Sequence, residues 1–155
     1  MAVLLLGEVT NGELNRDATA KAVNAVKGLG DVTVLCAGAS AKGAAAEAAK
    51  IAGVAKVLVA ENPLYGHRLA EPTAALIVSL AGDYSHIAAP ATTDAKNVMP
   101  RVAALLDEGL RRFEGLDGAA RGAQHHGERV AHGVVVLDEV DGGSCRFAHR
   151  DLRAR

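Results

Sequence analysis

The chain has little of several residue types, and each shortage argues against a class of protein. It contains no tryptophan, two tyrosines and two phenylalanines among 155 residues, so its core must consist mainly of Ala, Val, Leu and Ile. Its formal net charge is −1 and long blocks of like charge are missing, unlike proteins that bind nucleic acid or an anionic membrane surface. No apolar run approaches the roughly 20 residues that cross a bilayer. We therefore expect no nucleic-acid partner and no membrane insertion.

Cysteine is also scarce, since only Cys36 and Cys145 occur. A chain of this length can bury enough apolar surface to fold without disulfides, so we expect reduced thiols. The N-terminus begins directly with an apolar run and lacks the charged, then apolar, then small pattern of a signal peptide. Together these features predict a cytoplasmic protein.

What the sequence does contain is a fourfold alternation of short apolar runs and longer segments with helical spacing. The apolar runs are nearly continuous in hydrophobicity, as parallel strands covered on both faces must be. They predict strands at 2–9, 32–37, 56–60 and 85–89. Strands that alternate with helices form parallel sheets, so the sequence predicts an α/β fold with three layers, a parallel sheet between flanking helices.

Each predicted helix has a recognisable start. The first spans 17–27 with Asp17 as its N-cap, and Ser40 is positioned to cap the second, which ends at Gly53. The third begins near Pro72, where proline in the first turn loses no hydrogen bond. The fourth follows Thr92 and Thr93 and carries Pro100, which we expect near enough its start to be tolerated.

The composition changes after Asp107. Residues 1–106 contain six Lys and three Arg, whereas residues 107–155 contain no Lys, eight Arg and four of the six His. We expect a domain at 1–107 and an atypical Arg/Gly/His-rich tail at 108–155, either a fused segment or the product of a shifted reading frame. In the tail the residues predict a strand at 133–137, a second at 145–148 and partial disorder over 117–129. Leu110, Phe113 and Leu116 have the spacing to extend the preceding helix.

Candidate binding residues follow the predicted strands. The loop Gly38-Ala39-Ser40-Ala41-Lys42-Gly43 lies between a strand and a helix, but alanines replace the Lys and Ser or Thr that a phosphate-binding Walker loop requires, so a turn is the favoured interpretation. Ligands in open α/β sheets bind beside the carboxyl ends of strands. A candidate nucleotide pocket therefore comprises Gly7, Glu8, Gly38, Thr92 and Thr93, with helix capping as the simpler explanation for the threonines.

No pattern for catalysis or metal binding emerges. Carboxylates are scattered singly, and His67 and His86 have no nearby nucleophile motif, so we expect no catalytic residues. Arg101 is positioned either to form a salt bridge with a partner or to be solvated on a helix, and we favour the second. The tail residues that could ligate a metal lack closely paired spacing and are predicted to be surface residues: His125, His126, His132, Cys145 and His149.

Several stretches resemble the electron transfer flavoprotein alpha subunit. They are Ala2-Val3-Leu4-Leu5-Leu6-Gly7-Glu8-Val9, then Ala52-Gly53-Val54-Ala55-Lys56-Val57-Leu58-Val59, and above all His86-Ile87-Ala88-Ala89-Pro90-Ala91-Thr92-Thr93 and Lys96 to Asp107. The resemblance covers about two-thirds of the chain. It implies the adenine nucleotide alpha hydrolase-like fold of the N-terminal domain, and a heterodimer with a beta subunit that carries electrons on FAD from flavin dehydrogenases to the respiratory chain.

The resemblance ends where the composition changes. In the family a further strand and a second domain follow, and that second domain supplies most FAD contacts, so the family's flavin-binding residues have no counterparts here. The resemblance therefore implies a truncated or tail-replaced alpha-subunit domain that acts as a binding module, with FAD held only in the intact heterodimer. The alternative is a small adenine-nucleotide-binding α/β protein that uses the pocket named above.

Overall fold

A computed structural model of the chain describes residues 1–106, 110–113 and 133–137. Its main sheet contains six strands: β1 (Ala2–Leu6), β4 (Asp31–Gly38), β5 (Val54–Glu61), β6 (His86–Pro90), β7 (Leu110–Phe113) and β8 (Gly133–Leu137). Two short strands, β2 (Val9–Thr10) and β3 (Glu13–Leu14), form an antiparallel hairpin beside it. The order in the sheet is β5-β4-β1-β6-β8-β7 and every pairing is parallel.

In the described part of the chain, four helices connect the strands: α1 (Arg16–Val26), α2 (Lys42–Ala48), α3 (Ala70–Leu80) and α4 (Thr93–Leu105), with single 3₁₀ turns at Pro63–Tyr65 and Ala81–Asp83. One core cluster joins α1 and α2 to the sheet, and a second joins α3 and α4 to its other face. Successive strand residues such as Leu4 and Leu5 therefore belong to different clusters and both are fully buried. The predicted three-layer α/β fold is confirmed.

The first strand is shorter than predicted. It ends at Leu6, and Val9 instead begins the β2–β3 hairpin, whose two-residue turn consists of Asn11 and Gly12. Both turn residues have positive φ, 52° and 85°, which is the conformation that the Asn-Gly pair favours in a tight hairpin. The other predicted strands shift by one or two residues, and Pro90 is the last residue of β6.

Two predicted helix caps were wrong. Asn15, not Asp17, caps α1, because the Asn15 side chain accepts a hydrogen bond from the amide of Ala18 at 3.2 Å. Asp17 lies in the first turn, where it pairs with Lys21. The N-cap of α2 is Ala41 rather than Ser40, and no side chain caps that helix.

The prediction for Pro100 was also wrong, because it is the eighth residue of α4 and therefore interior. The ring removes one helical hydrogen bond. Pro100 is exposed to solvent, so water can take the place of the amide donor that the carbonyl four residues earlier lacks. Arg101, expected to be solvated, bonds to Glu71 of α3 with 2.8 Å between Nη2 and Oε1.

Residues from the tail complete the sheet. The strand predicted at 133–137 is confirmed as β8, which pairs with β6 from His86 opposite Gly133 to Pro90 opposite Leu137. The helix extension through Leu110 and Phe113 was wrong, since those residues belong to β7, which hydrogen-bonds to β8 at the edge of the sheet. Leu116, the strand predicted at 145–148 and the disorder predicted over 117–129 lie outside the described residues.

Cys36 is a free thiol, fully buried in β4. Its ionisation makes the free energy of unfolding depend on pH in the alkaline range. Burial raises the pKa of this thiol from 9.0 to about 11. Above pH 9 the unfolded chain ionises this group and the folded chain does not, so the unfolded state binds fewer protons and stability falls. We expect the free energy of unfolding to drop by roughly 2 kcal/mol between pH 8 and 10.5.

Urea unfolding across that pH range measures the effect. The matched control is Cys36→Ala, which keeps every other titrating group. Over this pH range we expect the free energy of unfolding of Cys36→Ala to fall less than that of the wild type, and the difference should equal the contribution of the thiol. The absolute stability of the variant is lower. Parallel profiles for the two proteins would show that the thiol contributes nothing to the pH dependence.

Candidate functional site

The candidate site lies at the carboxyl ends of β1 and β6. From β1 the chain passes through α1 to β4 on one side, whereas β6, on the other side of β1, is reached from β5 through α3. The point where the connections diverge leaves a crevice between the two strands, and ligands of open α/β folds bind in such crevices. Here Gly7 and Glu8 follow β1, and Thr92 follows β6.

Gly7 has a packing reason for being glycine. Its amide donates to the Leu35 carbonyl at 2.8 Å, which extends the pairing of β1 with β4 beyond the last strand residue. A Cβ on Gly7 would lie 3.1 Å from Cγ1 of Val34 and 3.3 Å from the Leu35 carbonyl oxygen. Glycine at this position therefore allows the close approach of the backbone to β4.

Thr92 is the N-cap of α4, and its Oγ1 accepts a hydrogen bond from the amide of Ala95 at 3.4 Å. The capping interpretation of Thr92 is thus confirmed. Asp94 lies in the first turn of the same helix, where the helix dipole favours a carboxylate. The chain's own side chains therefore use the helix terminus that could otherwise attract a phosphate.

The crevice contains a cavity of about 50 Å³. That volume holds a few water molecules, and small-molecule sites are typically several hundred Å³. Three of the five predicted residues, Gly7, Glu8 and Thr92, are brought together in its wall. Gly38 and Thr93 are not part of the wall. Gly38 instead ends β4, where its carbonyl accepts from the amide of Asn62 at 3.0 Å.

Sequence reasoning missed the residue that dominates the crevice, Arg68. Its guanidinium contacts Asp94, lies 3.4 Å from Oε1 of Glu8 and donates to Oγ1 of Thr10 at 2.7 Å. Glu8 in turn accepts from Nδ2 of Asn15 at 2.9 Å. Arg68 lies in the loop before α3, sixty residues from Glu8, and no local motif marks it; the signal is structural, a left-handed backbone with φ of 54°.

Among the described residues that line the crevice, the charged groups are the carboxyl groups of Glu8 and Asp94 and the guanidinium of Arg68. Glu8 is the better shielded, with a side chain 15% exposed, compared with 40% for Asp94. An excess of negative charge in a partly enclosed crevice repels phosphate groups.

Other candidate residues are separate from this crevice. His86 begins β6, at the opposite end of that strand, with Nδ1 3.0 Å from the Ser85 hydroxyl. Within the described part of the chain no three His, Cys, Asp or Glu side chains are grouped to hold a metal. His125, His126, His132, Cys145 and His149 lie outside it. In the same described part, none of the helices has the length and apolar character to cross a bilayer.

Comparison with known proteins places the chain. A family model described as the electron transfer flavoprotein domain matches residues 3–111. The chain belongs to the electron transfer flavoprotein family. The electron transfer flavoprotein match ends within a few residues of Asp107, where the use of Lys and Arg changes.

Relatives from bacteria agree with this assignment. The electron transfer flavoprotein subunit alpha of Paracoccus denitrificans is 92% identical over 107 residues, which cover 69% of this chain and 35% of the relative. The subunits alpha of Bradyrhizobium diazoefficiens and Pseudomonas aeruginosa are 62% and 51% identical, each over 108 residues, covering 69% of this chain and 34% and 35% of the relatives. The chain therefore spans about a third of the length of these electron transfer flavoprotein subunits.

The family name implies a flavin, so the crevice can be tested for its fit to FAD. An FAD site needs room for two ring systems and donors for a pyrophosphate. The crevice offers a cavity of about 50 Å³ and an excess of carboxyl groups. This crevice of the electron transfer flavoprotein domain therefore does not fit FAD.

Proposed function

We propose that residues 1–107 form the N-terminal domain of an electron transfer flavoprotein alpha subunit, a module that binds a beta subunit rather than a catalyst. The 92% identity over 107 residues to the subunit from Paracoccus denitrificans is the observation that carries the proposal. At that identity the buried cores and exposed surfaces of the two domains are expected to be nearly the same. In the proposed assembly, FAD is held by the intact heterodimer, which works in the cytoplasm and passes electrons from flavin dehydrogenases to the respiratory chain.

The crevice supports this proposal over the alternative of an adenine-nucleotide-binding protein. A nucleotide site would place helix amides and cations toward the phosphates. Here Thr92 uses the amide of Ala95, and Asp94 and Glu8 face Arg68 from two sides. Both arrangements favour a closed structural crevice.

Co-purification tests the proposed partner. The full chain is mixed with the beta subunit of the Paracoccus denitrificans carrier, and the mixture is analysed by size-exclusion chromatography with light scattering. We expect a one-to-one complex that persists at roughly micromolar concentration, because permanent subunit interfaces are large and apolar. Separate elution of two monomers at that concentration would contradict the proposal.

Calorimetry on the chain alone separates the two functions. We expect no heat of binding from AMP, ATP or FAD when the beta subunit is absent. The control is the same titration into the complete heterodimeric carrier. Saturable binding of AMP or ATP to the isolated chain, together with no complex formation, would favour the nucleotide-binding protein instead.

A further inference from the structure

We propose that Arg68 is a built-in latch that closes the crevice between β1 and β6 with its own guanidinium. The side chain makes contacts on both walls of the crevice: Glu8 directly after β1, and Asp94 in the first turn of α4. Both residues and Arg68 itself line the remaining cavity. The guanidinium thus lies between the end of β1 and the start of α4, the two elements that would have to contact a ligand in the crevice.

The latch connects both faces of the sheet. Glu8 accepts from Asn15, and Asn15 also caps α1, which packs on one face. Asp94 belongs to α4, which packs on the opposite face. A continuous chain of polar contacts therefore runs from the start of α1 through Arg68 to the start of α4.

The backbone at Arg68 is held in an unfavourable conformation to make this contact. Its φ of 54° lies in the left-handed region. In that region a residue that has a Cβ atom is less stable than glycine. His67 precedes Arg68 and Gly66 precedes His67, so a flexible residue is close by, yet the arginine itself takes the left-handed position. Such an outlier persists when the contacts made by its side chain compensate for the strain.

The chemistry of the walls defines what the crevice accepts. Nη2 of Arg68 contacts both carboxylates, while Nη1 donates to the Thr10 hydroxyl, so the acceptors in the crevice are arranged around two nitrogens of a planar guanidinium. If Arg68 is removed, the same two carboxylates lose the guanidinium that they contact. The opened crevice is therefore selective for a guanidinium cation and continues to repel phosphate groups. This inference concerns contacts within the chain and is independent of the beta subunit, so its test can fail while the proposed function holds.

Chemical rescue of Arg68→Gly tests the latch. Glycine tolerates the positive φ, so backbone strain at this position does not cause a loss of stability. We expect the melting temperature to fall by about 5 °C. Millimolar methylguanidinium should restore at least half of this loss in a saturable manner, whereas tetramethylammonium at the same ionic strength should restore none, because it has no N–H donors.

The matched control is Arg101→Ala, which removes an exposed arginine that pairs with Glu71 between α3 and α4. Its melting temperature should change little, and neither it nor the wild type should respond to methylguanidinium. The latch is disproved if methylguanidinium affects Arg68→Gly and Arg101→Ala equally or fails to stabilise Arg68→Gly. It is also disproved if AMP stabilises Arg68→Gly as methylguanidinium does.

A second measurement covers the case in which Arg68→Gly does not fold. Arg68→Lys keeps the charge but loses the fork, and Glu8→Gln keeps the shape but loses one carboxylate. In a double-mutant cycle of these milder changes, a latch predicts that the combined loss in melting temperature is smaller than the sum of the two single losses. Strict additivity would show that Arg68 and Glu8 do not act together and would overturn the proposal.

Discussion

Replacing Leu5 with alanine is expected to lower the free energy of unfolding by about 4 kcal/mol, within the range of 2–5 kcal/mol for buried leucines. Leu5 is fully buried in the cluster that joins α1 and α2 to the sheet. Alanine supplies much of that cluster, at 22, 41, 44, 45, 48 and 88. Alanine has no rotamers with which to fill a void, so most of the cavity should persist and place the effect in the upper half of the range.

The control for this prediction is the same substitution at an exposed site, Leu105→Ala near the end of α4. Leu105 is 62% exposed, and alanine is the better helix former, so we expect a change within about 0.5 kcal/mol. Urea unfolding of the wild type and the two variants gives both changes in the free energy of unfolding, when the three curves are fitted with a common dependence of that free energy on urea concentration. A loss at Leu5 as small as that at Leu105 would mean that the site repacks around the deletion.

Replacing Val135 with proline is expected to lower the free energy of unfolding by about 3 kcal/mol. Val135 is the central residue of β8 and lies opposite Ala88 of β6 and Arg111 of β7. A strand with neighbours on both sides uses its amides in the ladder, and proline has none to donate. Pairing on both sides of β8 should therefore weaken.

Val135→Thr is the matched control, since it keeps the backbone amide and a β-branched side chain that suits a strand. We expect it to unfold within about 1 kcal/mol of the wild type. Hydrogen exchange at the amides of β6 provides a second readout, because the edge of β6 should exchange faster in the proline variant alone. Equal stability of the proline variant and the wild type would show that residues 133–137 contribute nothing to the sheet.

Much of the fold was predictable because its central strands β1, β4 and β6 are largely buried, whereas β5 at the edge of the sheet has no buried residue. The run from Val32 to Ala37 is apolar except for Thr33, and such near-continuity distinguishes a buried parallel strand from an exposed one. Boundaries were less predictable, since they depend on local hydrogen bonds. Asn15 and Asp17 are both good capping residues, but Asn15 begins the helix, since its Oδ1 accepts from the Ala18 amide while its Nδ2 donates to Glu8.

Short segments in the tail show the limit of pattern analysis. Leu110 and Phe113 have helical spacing, yet both lie in a strand of four residues, a length at which helix and strand patterns overlap. The nearby strand β8 supplies a hydrogen-bonding edge that β7 adopts. The pairing partner, rather than the residues of β7, determines its conformation.

The candidate site was predictable only where it follows strand ends. Gly7, Glu8 and Thr92 were found because the carboxyl ends of adjacent parallel strands converge. Arg68 and Asp94 were not, because their role depends on a long-range ion pair between residues that share no local motif. A sequence pattern identifies positions near a crevice, whereas the charge balance inside it emerges only from the fold.

The pairing of β6 with β8 also sets the order of events during synthesis. The chain leaves the ribosome from its N-terminus, so β6 is complete at Pro90 while its neighbour is complete only at Leu137, 47 residues later (137 − 90). At about 5–20 residues per second, translation takes roughly 2–9 seconds to supply that strand. For this interval the side of β6 that later pairs with β8 is without that neighbour.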